Sequence, residues 1–209
     1  MGFSTSDSYI KGWIDRFGME LMEALANGRK RVEDGSANAA VSRWFGTTLD
    51  AGERQKFGKR LGTIRSNLNI RSISVGFMAL QARVSSQNAR AWNIGMPQLS
   101  LGSNLAPPGS GGINTIELDV GFKILPDYLP KATNGTVDAS AYHQSKFETL
   151  VHELTHVLVG TKDEALASGA TAYGAQNALA LAAENPTKAF NNAENWAIFI
   201  ESCGLNSGS

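Results

Sequence analysis

Apolar side chains recur at helical spacing through the first third of the chain. They follow steps of three and four residues, which places them on one face of a helix. This periodicity predicts helices over residues 8–26, 38–45 and 51–68, and the Asn27-Gly28 pair is a typical helix end. We expect the apolar faces of these helices to be buried in a core.

The pattern then changes to alternation between apolar and polar residues, which is typical of strands. Residues 71–80 and 113–122 alternate most regularly, and residues 89–94 and 98–101 do so over shorter lengths. Residues 103–112 are rich in Gly, Pro, Ser and Asn, so they predict a loop.

The most apolar segment of the second half returns to helical spacing. Residues 147–158 predict a buried helix, for which Asp138 or Ser140 can cap the start and Gly160 suits the end. The Ala-rich segment 164–184 should be helical in parts.

A last helix is predicted over residues 187–202. Asn185 suits its N-cap, and Pro186 suits its first turn because proline lacks an N–H that would be unpaired there. The order of elements is helices, then strands, then helices, which indicates an α+β fold.

Candidate chemistry lies in the apolar helix. His152 and His156 are four residues apart, so they share one helix face and can bind the same Zn²⁺, while Glu153 can act on a neighbouring water. His143, the third histidine, lies nine residues before His152 and is interpreted as solvated.

A catalytic zinc usually has three protein ligands and one open position. The third ligand must come from beyond the helix. Asp163 follows a glycine turn that can fold the chain back toward the metal, whereas Glu184, Glu194 and Glu201 are rival candidates downstream.

Composition narrows the class of protein. Hydrophobic residues make up 42% and charged residues 18%, and the formal net charge is zero, so we expect neither nucleic-acid nor membrane binding. The single cysteine, Cys203, allows no internal disulfide. With no signal peptide and no membrane span in the sequence, we expect a cytoplasmic protein or one exported by a signal-independent route.

Several short motifs together resemble one family, the aspzincins, which include deuterolysin and peptidyl-Lys metalloendopeptidase. That family combines HExxH with GTxDxxYG. The matching segments here are His152-Glu153-Leu154-Thr155-His156, Gly160-Thr161-Lys162-Asp163, Tyr173-Gly174, Trp44-Phe45-Gly46-Thr47 and Asn192-Ala193-Glu194-Asn195.

The resemblance implies a zincin-like metallopeptidase that hydrolyses protein or peptide substrates. It implies zinc ligation by His152, His156 and Asp163, and Glu153 as the base. Tyr173 matches the family tyrosine, which would steady the oxyanion, but it lies ten residues after Asp163 instead of three. Tyr142 and Lys162 are alternatives for that role.

The lysine-specific relatives bind the substrate lysine with two acids, three residues apart. Glu194 matches the first and Ala197 stands at the second, so we expect a weakened lysine preference. The strand near residues 116–120 could pair with an extended substrate. We expect residues 1–70 to form a helical part packed on a catalytic domain of residues 71–205.

The chain has no disulfides, and in this respect it resembles bacterial members of the family that are thought to be delivered toxins. Delivery as a toxin would imply an inhibitor or immunity protein. Two other classes stay open at this point. One is a zinc amidase acting on a cell-wall substrate. The other is a non-catalytic zinc-binding module, although the intact Glu153 argues against it.

Overall fold

The computed structural model places an N-terminal set of helices beside a small sheet and a second set of helices. The ranges that the structure describes are 3–70, 73–77, 89–94, 113–118, 120–133, 135–140 and 144–205. Within them, no helix has the length and apolarity needed to cross a bilayer. The predicted strand 98–101, the predicted loop 103–112 and His143 lie outside the described residues.

Three helices form the N-terminal part: α1 (Ser8–Glu33), α2 (Asn38–Phe45) and α3 (Ala51–Ile70). The predicted end of α1 at Asn27-Gly28 is wrong. The helix continues to Glu33 because Gly28 is buried at the contact with α3, where a Cβ would lie 3.7 Å from Leu61. Tertiary packing thus overrides a local stop signal.

Within the described ranges, the sheet has four strands: β1 (Phe3–Ser4), β2 (Ile73–Phe77), β3 (Ala89–Ile94) and β4 (Ile113–Leu118). Their order is β1-β2-β4-β3. The first three in this order are parallel, and β3 pairs antiparallel with β4 at the edge. A 3₁₀ helix (Val120–Ile124) follows β4.

The HExxH segment lies in α4 (Lys146–Val159). Its N-cap is Ser145, not Asp138 or Ser140, and the Ser145 hydroxyl accepts the Glu148 N–H at 2.9 Å. The helix ends at Gly160, as predicted, with the left-handed φ of 68° that favours glycine.

The C-terminal helices are α5 (Gly174–Glu184), α6 (Pro186–Asn191), α7 (Ala193–Phe199) and a π-helix (Ile200–Gly204). The single helix predicted over 187–202 is therefore split at Asn192, whose backbone is extended. The break frees backbone groups for pairing with Lys162: the Lys162 N–H donates to the Asn191 carbonyl, and the Ala193 N–H donates to the Lys162 carbonyl.

One hydrophobic core contains residues from all of these parts. Its aromatic centre joins α2 and α3 to the last helices, and comprises Phe45, Phe57, Phe190, Trp196 and Phe199. Gly46, directly after α2, passes so close to α5 that a Cβ would lie 1.9 Å from the Ala182 carbonyl oxygen. The Asn195 amide donates to the Trp44 carbonyl at 2.6 Å, so the Trp-Phe-Gly-Thr and Asn-Ala-Glu-Asn segments meet.

Candidate metal centre

One face of α4 presents both histidines of the motif. The helix is buried along almost its whole length, and the Nε2 atoms of His152 and His156 lie 3.1 Å apart. The rings are nearly perpendicular, at 81°, so their lone pairs can converge on one point. This is the arrangement that the four-residue spacing predicts.

Asp163 completes a triangle of ligand atoms. Its Oδ1 lies 3.0 Å from Nε2 of His152 and 3.2 Å from Nε2 of His156. A tetrahedral zinc with ligand distances near 2.0 Å separates its ligand atoms by about 3.3 Å. The three atoms therefore fit three corners of a zinc tetrahedron and leave the fourth corner free.

Each histidine is oriented through its other ring nitrogen. Nδ1 of His156 lies 2.8 Å from the Thr161 carbonyl oxygen, and Nδ1 of His152 lies 2.9 Å from a Glu194 carboxylate oxygen. An Nδ1–H that donates to these acceptors leaves Nε2 as the unprotonated, metal-binding atom.

The charges at the centre perturb one another. Without a metal, burial lowers the pKa of His152, but hydrogen bonds to Asp163 and Glu194 outweigh burial, so that this pKa lies well above its ordinary value. A bound zinc would take the place of the proton on Nε2. Burial raises the pKa of Asp163, and the hydrogen bonds to both histidines outweigh it, so the pKa is lowered. Asp163 is thus held as a carboxylate, the form that binds a cation.

Glu153 lies near enough to His152, His156 and Asp163 for their charges to act on it, but it is not part of the triangle. Its side chain is 7% exposed, and burial raises its pKa above the ordinary value. A carboxylate with a raised pKa is a stronger base, which suits proton abstraction near neutral pH.

Glu194 is not where a substrate lysine could reach it. It is 2% exposed and lies behind His152, where one carboxylate oxygen meets Nδ1 of that ring and the other accepts the Gly174 N–H at 2.7 Å. Glu148 lies beside it, and burial together with the Glu194 charge raises the pKa of Glu148. The predicted contact between Glu194 and substrate does not match this position, because both of its oxygens are already engaged.

Tyr173 reaches the centre despite its distance in sequence. Its ring centroid lies 5.7 Å from that of His152, and burial together with the charge of the nearby Asp163 carboxylate raises its pKa. The intervening residues form a hairpin closed at its base, where the Ala172 N–H donates to the Glu164 carbonyl at 2.9 Å.

The hairpin explains the unusual spacing. Omitting residues 165–171 from the sequence leaves Asp163-Glu164-Ala172-Tyr173-Gly174, which has the DxxYG spacing of the family that the sequence resembles. Seven residues are therefore inserted between the aspartate and the tyrosine, and because the hairpin is closed at its base, Tyr173 still lies near the Asp163 carboxylate.

The rival ligands lie elsewhere. Glu184, at the far end of α5, accepts the Ala167 N–H at 2.9 Å. Glu201 lies at the start of α4, where it accepts the Leu129 N–H and the Ser145 hydroxyl. Of the alternatives to Tyr173, Tyr142 is outside the described residues, and Lys162 contributes backbone pairing with Asn192.

Sequence reasoning missed the groups that hold the ligands. No sequence motif marks these supporting groups, which are the Thr161 carbonyl and the side chains of Asn192 and Ser145. The only signal in the sequence is that they lie next to the motifs. The sequence suggests Glu201 only as a ligand, whereas in the structure it anchors the N-terminus of α4.

The buried Glu201 predicts a pH dependence of stability. Burial raises its pKa to about 7, against the opposing effect of the Leu129 N–H, the Ser145 hydroxyl and the Lys131 charge. An unfolded glutamate ionises near 4.5, so ionisation destabilises the fold as pH rises from about 4.5 to 7, by about 3 kcal/mol at roughly 1.4 kcal/mol per pKa unit.

Comparison with Glu201→Gln isolates this effect, because glutamine stays neutral and all other groups are shared. In urea denaturation of the metal-free protein, the free energy of unfolding of the wild type, relative to that of the variant, should fall across this pH window. A difference that stays constant or rises with pH contradicts the prediction.

Comparisons with known proteins found a family model and a solved structure that this chain resembles. Residues 128–201 match the family model described as lysine-specific metallo-endopeptidase, the aspzincin family. The structure is similar to that of a zinc peptidase from Grifola frondosa, with a TM-score of 0.61 and 20% sequence identity over 93% of this chain and 96% of that chain. No curated protein matches the chain by sequence.

The structural likeness shows the fold, an aspzincin-like metallopeptidase fold of helices with a small sheet. The family match covers the segment that contains α4, Asp163, Tyr173 and the start of the π-helix. Zinc is the cofactor that the family implies, and the geometry of the three ligand atoms fits it. Residues 128–201 of the chain match the aspzincin family, and this match together with the fold supports a zinc metalloendopeptidase.

Proposed function

We propose that this chain cleaves internal peptide bonds with a zinc ion held by His152, His156 and Asp163 and with Glu153 as the general base. The convergence of the three ligand atoms, each 3.0 to 3.2 Å from the next, carries this proposal. Zinc held there would supply a Lewis acid that polarises the scissile carbonyl and makes a water more acidic.

Glu153 would take a proton from the attacking water and later pass it to the leaving amine. Its burial supports this role, because a desolvated carboxylate with a raised pKa accepts a proton more readily than one in water. Its position directly after His152 on the helix keeps it beside the ligands without binding the metal itself.

Tyr173 would donate its hydroxyl to the oxyanion that develops on the scissile carbonyl. Its raised pKa keeps the hydroxyl protonated at neutral pH, as a donor must be. The position of its ring, 5.7 Å from the ring of His152, supports this proposal, because it places the tyrosine beside the ligand triangle.

The substrate backbone would pair with β3. The sequence suggested the strand near residues 116–120, but β4 lies between β2 and β3 and has no free edge, so that expectation is wrong. Among the described strands, β3 pairs with β4 alone, and it lies against α4. Its outer backbone edge can therefore accept an extended peptide beside the metal.

Glu194 is proposed here as a residue that positions His152, and not as a lysine-binding acid. Both carboxylate oxygens are already hydrogen-bonded, one to Nδ1 of His152 and the other to the Gly174 N–H. Ala197, at the position of the second acid, has no charge. Cleavage should therefore show little enrichment of lysine after the cut, and any enrichment should depend on another group.

Glu194→Gln should weaken zinc binding by about 10- to 100-fold, the usual cost of losing a partner of a metal-binding histidine. Glutamine removes the charge that holds the His152 N–H. Glu184→Gln is the matched control, because Glu184 also accepts one backbone N–H but lies at the far end of α5. The Glu184→Gln protein should bind zinc with wild-type affinity.

Competition with a chromophoric chelator measures both affinities, and sequencing of cleavage products from a protein digest measures the preference. Wild-type zinc affinity in Glu194→Gln, or a lysine preference that this variant abolishes, contradicts the proposed role.

Incubation of the purified protein with a peptide library, with and without chelator, tests the proposed function. We expect internal cleavage that stops with chelator and returns with zinc. Release of fragments from peptidoglycan without cleavage of any peptide or of casein would favour the cell-wall amidase instead.

An inhibitor or immunity protein, and delivery as a toxin, remain predictions from the sequence resemblance.

A further inference from the structure

The side chain of Asn192 connects the two ends of the hairpin inserted at the metal centre. Its Oδ1 accepts the N–H of Glu164, the residue that follows Asp163, at 3.0 Å. Its Nδ2 donates to the carbonyl of Ala172, the residue that precedes Tyr173, at 3.4 Å. The residue is 1% exposed, so both hydrogen bonds are shielded from water.

The backbone around Asn192 holds the other side of Asp163. The Lys162 N–H donates to the Asn191 carbonyl at 2.8 Å, and the Ala193 N–H donates to the Lys162 carbonyl at 2.9 Å. Asp163 is therefore flanked on both sides by residues bonded to the break between α6 and α7. The split of the predicted last helix creates this arrangement.

A neighbouring amide fixes the orientation of the Asn192 side chain. Asn195 donates its Nδ2 to the carbonyls of Trp44 and Ala178, so its Oδ1 is left to accept from Nδ2 of Asn192 at 2.7 Å. With Nδ2 thus assigned, Oδ1 of Asn192 must face the Glu164 N–H. Every polar group of this buried pair is satisfied, which makes the arrangement rigid.

The hairpin itself is attached away from the metal. Its Ala167 N–H donates to Glu184, and its Ala165 carbonyl accepts from Lys188, both near the junction of α5 and α6. Its tip, residues 167–171, is exposed. These contacts secure the hairpin but do not reach Asp163 or Tyr173.

We propose that Asn192 is the positioning residue that holds Asp163 and Tyr173 together at the centre, and that residues 165–171 are dispensable for zinc binding. This inference rests on the proposed function, in which Asp163 binds zinc and Tyr173 meets the oxyanion. The base of the hairpin, clamped by one buried amide, keeps the family geometry in spite of the insertion.

Asn192→Ser tests the proposal with little cost to the helix. Asn192 is at the N-cap of α7, where serine is equally favoured, but a serine side chain is too short to reach both Glu164 and Ala172. Asn185→Ser is the matched control, because Asn185 is the N-cap of the adjacent α6 and contacts neither Asp163 nor Tyr173.

We expect Asn192→Ser to raise the zinc dissociation constant by about 10- to 100-fold, and Asn185→Ser to leave it unchanged. At saturating zinc, Asn192→Ser should also lower kcat with little change in KM, because a displaced Tyr173 loses an interaction made in the transition state. Equal zinc affinities in the two variants overturn the proposal, even if both melt at lower temperature than the wild type.

Deletion of residues 165–171 is the second test, and it applies even if Asn192→Ser does not fold. The deletion joins Glu164 to Ala172, keeps Asn192, and should retain wild-type zinc affinity. Loss of zinc binding by a folded deletion variant overturns the proposal. Asp163→Ala, measured in parallel, distinguishes failure of the proposed function from failure of the proposed role of Asn192. If Asp163→Ala keeps its zinc, the proposed function is wrong. If Asp163→Ala loses its zinc, a negative result for the other variants contradicts only the role of Asn192.

Discussion

Replacing Glu153 with glutamine is expected to lower turnover by about 10²- to 10⁴-fold while the zinc content stays unchanged. Glutamine has nearly the same shape but cannot accept the proton of the attacking water. Glu153 is 7% exposed and lies beside the ligands without being one of them, so the substitution leaves the ligand triangle intact.

Steady-state cleavage of a peptide and metal analysis of the same preparation measure both quantities. The zinc content serves as the control, because loss of metal would explain loss of turnover by another route. Near-normal turnover in a zinc-loaded Glu153→Gln protein removes Glu153 from the mechanism.

Asp163→Ala should remove zinc and activity together. The two histidines alone make a weak site, and Asp163 contributes the only formal negative charge of the triangle. The loss of affinity should exceed the factor of about 100 that is the upper range for a residue that only supports a ligand. The fold should persist, because the side chain of Asp163 is one-third exposed and lies in a loop.

Glu184→Ala is the informative comparison for this prediction, since Glu184 is a rival ligand in sequence but accepts a backbone N–H far from the centre. Equilibrium dialysis against zinc gives both affinities. Retention of zinc by Asp163→Ala, together with its loss from Glu184→Ala, contradicts the assigned ligand set.

Local signals made part of this molecule predictable. The bounds of α2, the end of α4 at Gly160 and the shared face of His152 and His156 each depend on neighbours within one helical turn. The approximate extents of β2, β3 and β4 follow from alternation in the same way. In each case the residues that decide the structure are close in sequence.

Contacts between distant residues decided the rest. The α1 helix runs past Asn27-Gly28 because Gly28 packs on α3, and Ser145 caps α4 because Glu201 holds its hydroxyl from the other end of the chain. Strand order is equally non-local, so the regular alternation of β4 could not reveal that β3 takes the edge.

The centre shows the same division. The sequence identified candidate residues but not their surroundings: Glu194 matches a substrate-binding position, yet it is buried behind His152. Tyr173 has the wrong spacing in sequence, yet the closed hairpin returns it to Asp163. Both outcomes depend on hydrogen bonds to Gly174 and Glu164 that no motif encodes.

Titration of chelator-stripped protein with Zn²⁺, while peptide cleavage is followed, tests zinc-dependent hydrolysis at this centre most directly. We expect cleavage to rise in proportion to added zinc and to level off at one ion per chain. Cleavage that is already complete without zinc, or that is still absent at saturating zinc, contradicts a catalytic zinc held by His152, His156 and Asp163.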